Sequence, residues 1–188
     1  LKSTRSSDRF IELAERAEIA NRELKKNMNG LFISIHVNAS ISNRISGFET
    51  YFLSQNPTNE EARKTAALEN NVVILETQGR GKKKYEDVDY VEALMMTTQI
   101  QKESSILADS VQNSIGKNIR EFKSRGVHKA DFFVLRGSLM PAVLVEVGFI
   151  THQKEIKYLK TDSYQDKLAE GIVDGIADFI NRYNKLID

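Results

Sequence analysis

The stretch Leu31-Phe32-Ile33-Ser34-Ile35-His36-Val37-Asn38-Ala39-Ser40 decides how this chain is read. Four of its first five residues are apolar, β-branched and aromatic side chains dominate it, and Asn29-Gly30 ahead of it form a turn signal. That pattern predicts a short buried strand. His36 stands where the strand runs out into the polar Asn38 and Ser40. Ligands of open α/β sheets gather at the carboxyl ends of strands, so this is a usual place for a site. A histidine satisfied within the core or at a sheet edge would give the same pattern.

The segments around that strand alternate between helix and strand periodicity. Before it, Phe10, Leu13, Ala14, Ala17, Ala20 and Leu24 recur at helical spacing, with Asp8 as N-cap. After it, Gly47-Phe48-Glu49-Thr50-Tyr51-Phe52-Leu53 alternates as a second strand. Pro57 breaks the pattern, and Thr58 or Asn59 opens a helix through Ala62, Ala66 and Leu68. Val72 to Leu75 ends that helix or makes a short strand, and Gln78 to Lys84 reads as a basic loop whose glycine spacing is not that of a P-loop.

A long helix is expected from Tyr90 to about Ile115, followed by a helical or irregular connection to Arg125. Phe132 to Leu135 is expected as a strand, and Ala142 to Val147 as a strand buried on both faces because it lacks alternation. A short helix over Lys154 to Leu159 and a final amphipathic helix capped by Asp162 or Ser163 complete the chain. The fold class expected is α/β, a single domain over residues 1–188, with a mixed, mostly parallel sheet, helices on both faces and a helical insertion.

Composition bounds the chemistry. With 27 basic and 26 acidic residues the net charge is +1, which gives no whole-chain pull toward nucleic acid or an anionic membrane. No apolar run approaches the roughly 18 residues of a membrane span. The chain has no cysteine, so disulfides and thiolate metal sites are excluded and any metal must be held by histidine and carboxylate. The first residues carry neither methionine nor a leader, which reads as a fragment of a longer protein.

Glu146 is the second residue that stands out. A carboxylate within Val143-Leu144-Val145-Glu146-Val147-Gly148-Phe149 is costly unless it is paired, hydrogen-bonded or metal-bound. Burial would lift its pKa toward the range of a general base. A structural glutamate bonded to backbone, or to an arginine such as Arg136, is the alternative. Together with His36 it makes half of a zinc hydrolase site.

Six separated blocks then stand in one order: Thr4-Arg5, Arg16 with Ala20-Asn21, Ser34 to Ala39, Gly47 to Phe52, Phe133 to Arg136, and Pro141 to Ile150. In this the chain resembles the zinc-dependent N-acetylmuramoyl-L-alanine amidases of the type-3 amidase family, from about Thr4 to Tyr183. The resemblance implies a Zn2+ hydrolase of the cell envelope, periplasmic or extracellular, that cuts the amide between N-acetylmuramic acid and L-alanine of the peptidoglycan stem peptide. It implies that His36 is a zinc ligand and Glu146 the base acting on zinc-activated water, with Asn38 and Arg136 shaping the site. The family's other ligands, in a Gly-His-Gly-Gly block and a following glutamate, would lie upstream of Leu1. His128 and His152 match no block and are expected at the surface.

Residues 54–106 also resemble the inserted helical segment of the cell-separation amidases, in which a helix covers the site until an activator protein displaces it. Ala67-Leu68-Glu69-Asn70 fits the start of that insert. The resemblance implies that Glu69 is an autoinhibitory metal ligand; a solvated helix residue is the alternative. Two rival functions stay open: a non-catalytic wall-binding or regulatory domain that kept the fold, and a zinc peptidase on a related scaffold.

Overall fold

The structure, a computed structural model, describes residues 1–24, 29–71 and 90–187. Four strands form one sheet: β1 Phe32–Asn38, β2 Phe48–Leu53, β3 Ser124–Ala130 and β4 Ala142–Phe149, in the spatial order β1-β4-β2-β3. β1 runs parallel to β4 and β2 parallel to β3, while β2 and β4 are antiparallel. This is the mixed, mostly parallel α/β sheet that the sequence pattern predicts. β4 is buried along its whole length, as its unbroken apolar run requires.

Helices cover both faces. On one side lie α3 Tyr90–Asn118 and α5 Asp162–Ile187, separated in the chain by the single-turn α4 Glu155–Leu159. Leu107, Val111 and Ile115 of α3 meet Leu168, Ile172 and Phe179 of α5 over Phe48, Val143, Val145 and Val147 of the sheet. The two helices touch through glycine: a Cβ on Gly175 would lie 2.5 Å from the Val111 Cα. The other face carries α1 Leu13–Glu23 and α2 Glu60–Asn70 over Phe32, Tyr51 and Leu144.

Three local expectations differ. The first helix begins at Leu13, not at Asp8; Ile11 is buried ahead of it, its carbonyl held by Arg16 Nε at 3.1 Å, and Phe10 is exposed. Phe133–Leu135 is a 3-10 turn that buries Val134 and Leu135 against α1, with Phe133 half-buried, without strand pairing. Ser124–Ala130 is an edge strand that the connection toward Arg125 concealed, because it has no apolar run to mark it. The expectations for Val72 to Leu75 and for Gln78 to Lys84 lie outside the described residues. Among the described residues no helix is long and apolar enough to cross a membrane.

Candidate active site

Strand register assembles the site. His36 on β1 pairs with Glu146 on β4, and Glu146 pairs in turn with Glu49 on β2. Residues in register on neighbouring strands project from the same face, so an imidazole and two carboxylates form one row across the sheet. α2 lies over that face and carries Glu69 to the row. Asn59 starts α2 as its N-cap, accepting the Ala62 N–H at 2.8 Å. Two turns on, Glu69 Oε2 stands 2.6 Å from His36 Nδ1, while His36 Nε2 meets Ser34 Oγ at 3.0 Å.

One ligand atom from each of His36, Glu69 and Glu146 falls within 4.8 Å of the other two. Glu146 is wholly buried and neither of its carboxylate oxygens has a hydrogen-bond partner. Burial, then the negative charges of Glu69 and Glu49, hold its carboxyl well above the usual carboxylate range. A buried carboxylate without a donor is costly unless something else compensates it. The His36 imidazole and the Glu69 carboxylate are N and O donors of the kind zinc takes, and the unpartnered Glu146 carboxylate lies beside them. Arg136 is not that compensation. Its Nε donates to Asp131 Oδ1 at 2.7 Å, and its guanidinium stacks 3.8 Å above the Phe133 ring.

Glu49 sits beside Glu146 with the opposite fate. It is equally buried, yet it accepts from Asn38 Nδ2 at 3.0 Å, Tyr51 Oη at 2.8 Å and Arg125 Nε at 3.0 Å. Asn38 thus braces Glu49, and its Oδ1 accepts the Ala39 N–H. Arg125 also pairs with Glu61 on α2, linking the covering helix to the polar row. Glu49, Tyr51 and Arg125 escaped the sequence reading. The signal available was a glutamate on an alternating strand, which reads as solvent-facing unless α2 is known to cover it.

The two remaining histidines are not surface residues. His128 is half-buried on β3, with its ring 5.6 Å from that of Tyr51 and its Nε2 3.1 Å from the Arg125 carbonyl. The parallel pairing of β3 with β2 places it opposite Tyr51. His152 is half-buried; its Nδ1 accepts the Glu155 N–H at 3.1 Å, and Phe122 packs edge-on against its ring.

Residues 1–178 match the family model described as N-acetylmuramoyl-L-alanine amidase. The chain belongs to this amidase family. It is 34% identical over 185 residues to an endolysin of Bacillus phage SPP1, covering 98% of this chain and 51% of that protein. It is 30% identical over 185 residues to the N-acetylmuramoyl-L-alanine amidase AmiA of Escherichia coli, covering 96% of this chain and 61% of AmiA. Among solved structures, the amidase AmiC2 of Nostoc punctiforme superposes with a TM-score of 0.64 at 29% identity, covering 95% of this chain and 71% of that one. This amidase-family chain thus spans between half and two thirds of the length of these two relatives.

Proposed function

We propose that this chain is the catalytic domain of a zinc-dependent peptidoglycan amidase. It hydrolyses the amide between N-acetylmuramic acid and the L-alanine of the stem peptide, and it works in the cell envelope, outside the cytoplasmic membrane. The observation that carries the reading is the pairing of His36 with the unpartnered, fully buried Glu146 in one sheet row. Membership of the amidase family supplies the bond that is cut.

His36 would hold the zinc through Nδ1, the ring nitrogen that Ser34 leaves free. Bound there, zinc would polarise the scissile carbonyl and make water acidic enough to attack at neutral pH. Glu146 takes the proton of the attacking water at a carboxylate oxygen and returns it to the departing amine nitrogen. Burial, the largest cause of its raised pKa, favours proton uptake at that carboxylate. Glu49, ion-paired with Arg125, flanks the base. Asn38 fixes Glu49, and Arg136 braces the 131–136 loop through Asp131.

Residues 54–106 form an inserted regulatory segment, and Glu69 is its inhibitory ligand, held where substrate must enter. α2 buries only Ala62, Thr65 and Ala66, and is otherwise held by polar ties: Glu61 to Arg125, Glu69 to His36, and Asn70 to the backbone of Asp131 and Phe133. An activator protein that lifts α2 would clear the site.

The test is digestion of purified peptidoglycan. Release of free stem peptides from intact glycan strands is the amidase outcome. Cleavage within the stem peptide would point to a zinc peptidase, and binding without cleavage to a wall-binding domain.

A further inference from the structure

Among the described residues Glu155 is buried as completely as Glu146 and Glu49, and the amidase reading gives it no task. It opens α4, beyond the end of β4. Its Oε1 accepts the Gly47 N–H at 2.9 Å, and its Oε2 accepts the Phe149 N–H at 2.9 Å. Gly47 lies just before β2, and Phe149 is the last residue of β4.

The position of these two amides explains the contact. β2 and β4 pair with Glu49 opposite Glu146. Two residues further out, Gly47 and Gly148 are where the two strands part. On its other edge β4 is irregular: His36 pairs with Glu146, but Asn38 pairs with Phe149, so three steps along β4 match two along β1. Such a bulge turns amides away from their ladder partners. The Glu155 carboxylate collects the two N–H groups set free at this parting point, one from each strand.

The surroundings are shaped for it. A Cβ on Gly148 would lie 3.0 Å from Glu155 Cδ, so glycine leaves the carboxylate its space. Gly47 has φ +110°, and a Cβ there would stand 2.2 Å from the Lys123 carbonyl. Glu155 is itself fixed from behind by His152, whose Nδ1 accepts its backbone N–H.

We infer that Glu155 is a positioning residue for the amidase site. It ties the start of β2 to the end of β4 and thereby sets the bulge that aims Glu146 at His36. It touches no reacting atom and acts through the backbone on either side of the base. The kinetic part of this inference rests on the proposed amidase function; the structural part does not.

Glu155→Gln tests it. An amide offers a single acceptor oxygen, and its NH2 would face the N–H it cannot accept, so one of the two clamp bonds is lost at nearly constant volume. Backbone amide exchange at Gly47 and Phe149 is measured together with kcat and KM on peptidoglycan fragments, and zinc binding serves as the check on the site's integrity. The expected result is exchange faster by about tenfold at one of the two amides, as one lost hydrogen bond implies. kcat falls about 10- to 100-fold with KM little changed, the signature of a displaced catalytic group. Zinc binding and cooperative unfolding are retained, and Glu155→Asp, with both oxygens but a shorter reach, recovers part of kcat. Unchanged exchange at both amides overturns the clamp. Altered exchange with kcat within about twofold of the parent overturns the positioning role. A parent protein inactive on every peptidoglycan substrate defeats the amidase reading instead, and exchange alone then decides the clamp.

Discussion

Glu69 Oε2 lies 2.6 Å from His36 Nδ1, the one nitrogen of that imidazole not engaged by Ser34. A carboxylate carried by a covering helix thus stands on the atom through which the strand histidine would bind metal. Glu69→Ala is expected to raise hydrolysis of peptidoglycan by about 5- to 150-fold, the usual span of coupling between a regulatory element and a site. Glu60→Ala, an exposed substitution on the same helix, is the control. Steady-state turnover of both variants checks this, and equal effects would remove the inhibitory role from Glu69.

Glu146 makes the stability of the metal-free protein depend on pH. Its neighbours across the site are His36 from β1, Glu49 from β2 and Glu69 from α2. Burial, then Glu69 and Glu49, raise its folded pKa well above 4.5. The folded state therefore holds a proton that the unfolded chain releases between that value and the raised one. The stabilisation is complete below the ordinary carboxylate pKa and is lost as pH rises through the raised one. With metal stripped, urea midpoints are expected to fall from acid toward neutral pH, and Glu146→Gln should flatten that fall.

Arg125 compensates Glu49 within a buried network. Arg125→Met leaves that carboxylate buried without its cation and is expected to cost about 3–5 kcal/mol. The double variant Arg125→Met with Glu49→Gln should recover most of the loss, because the uncompensated charge goes too. Denaturant unfolding of the three variants forms the cycle.

These three expectations also mark how far the sequence could be read. Val143 to Val147 announced β4 and its buried glutamate because a charge inside an apolar run has few explanations. His36 was legible for the same reason, standing at the end of an apolar strand. Glu69 became legible only through its Ala67-Leu68-Glu69-Asn70 context, since an exposed-looking helix glutamate carries no signal of its own. Arg125 and His128 were not legible. Their strand has polar and small residues, and its place in the sheet comes from pairing with β2, a contact between segments more than seventy residues apart. Phe133–Leu135 shows the converse: four apolar residues in a row satisfy either a strand or a buried turn, and packing against α1 decides between them.

The α3–α5 contact gives a stability prediction independent of the site. Gly175→Ala would push a methyl group to 2.5 Å from the Val111 Cα, a backbone atom that cannot rotate away. The helices must separate, at an expected cost of about 1–3 kcal/mol. A thermal melt checks this; an unchanged midpoint would mean that the helices are not packed this closely.

The most direct measurement of the central claim compares Glu146→Gln with His36→Ala for zinc content and for turnover of purified peptidoglycan. The account predicts that Glu146→Gln keeps its zinc and loses turnover by about 10²–10⁴-fold, as removal of a general base does. It predicts that His36→Ala loses zinc and turnover together. Turnover retained by Glu146→Gln, or zinc retained in full by His36→Ala, would contradict it.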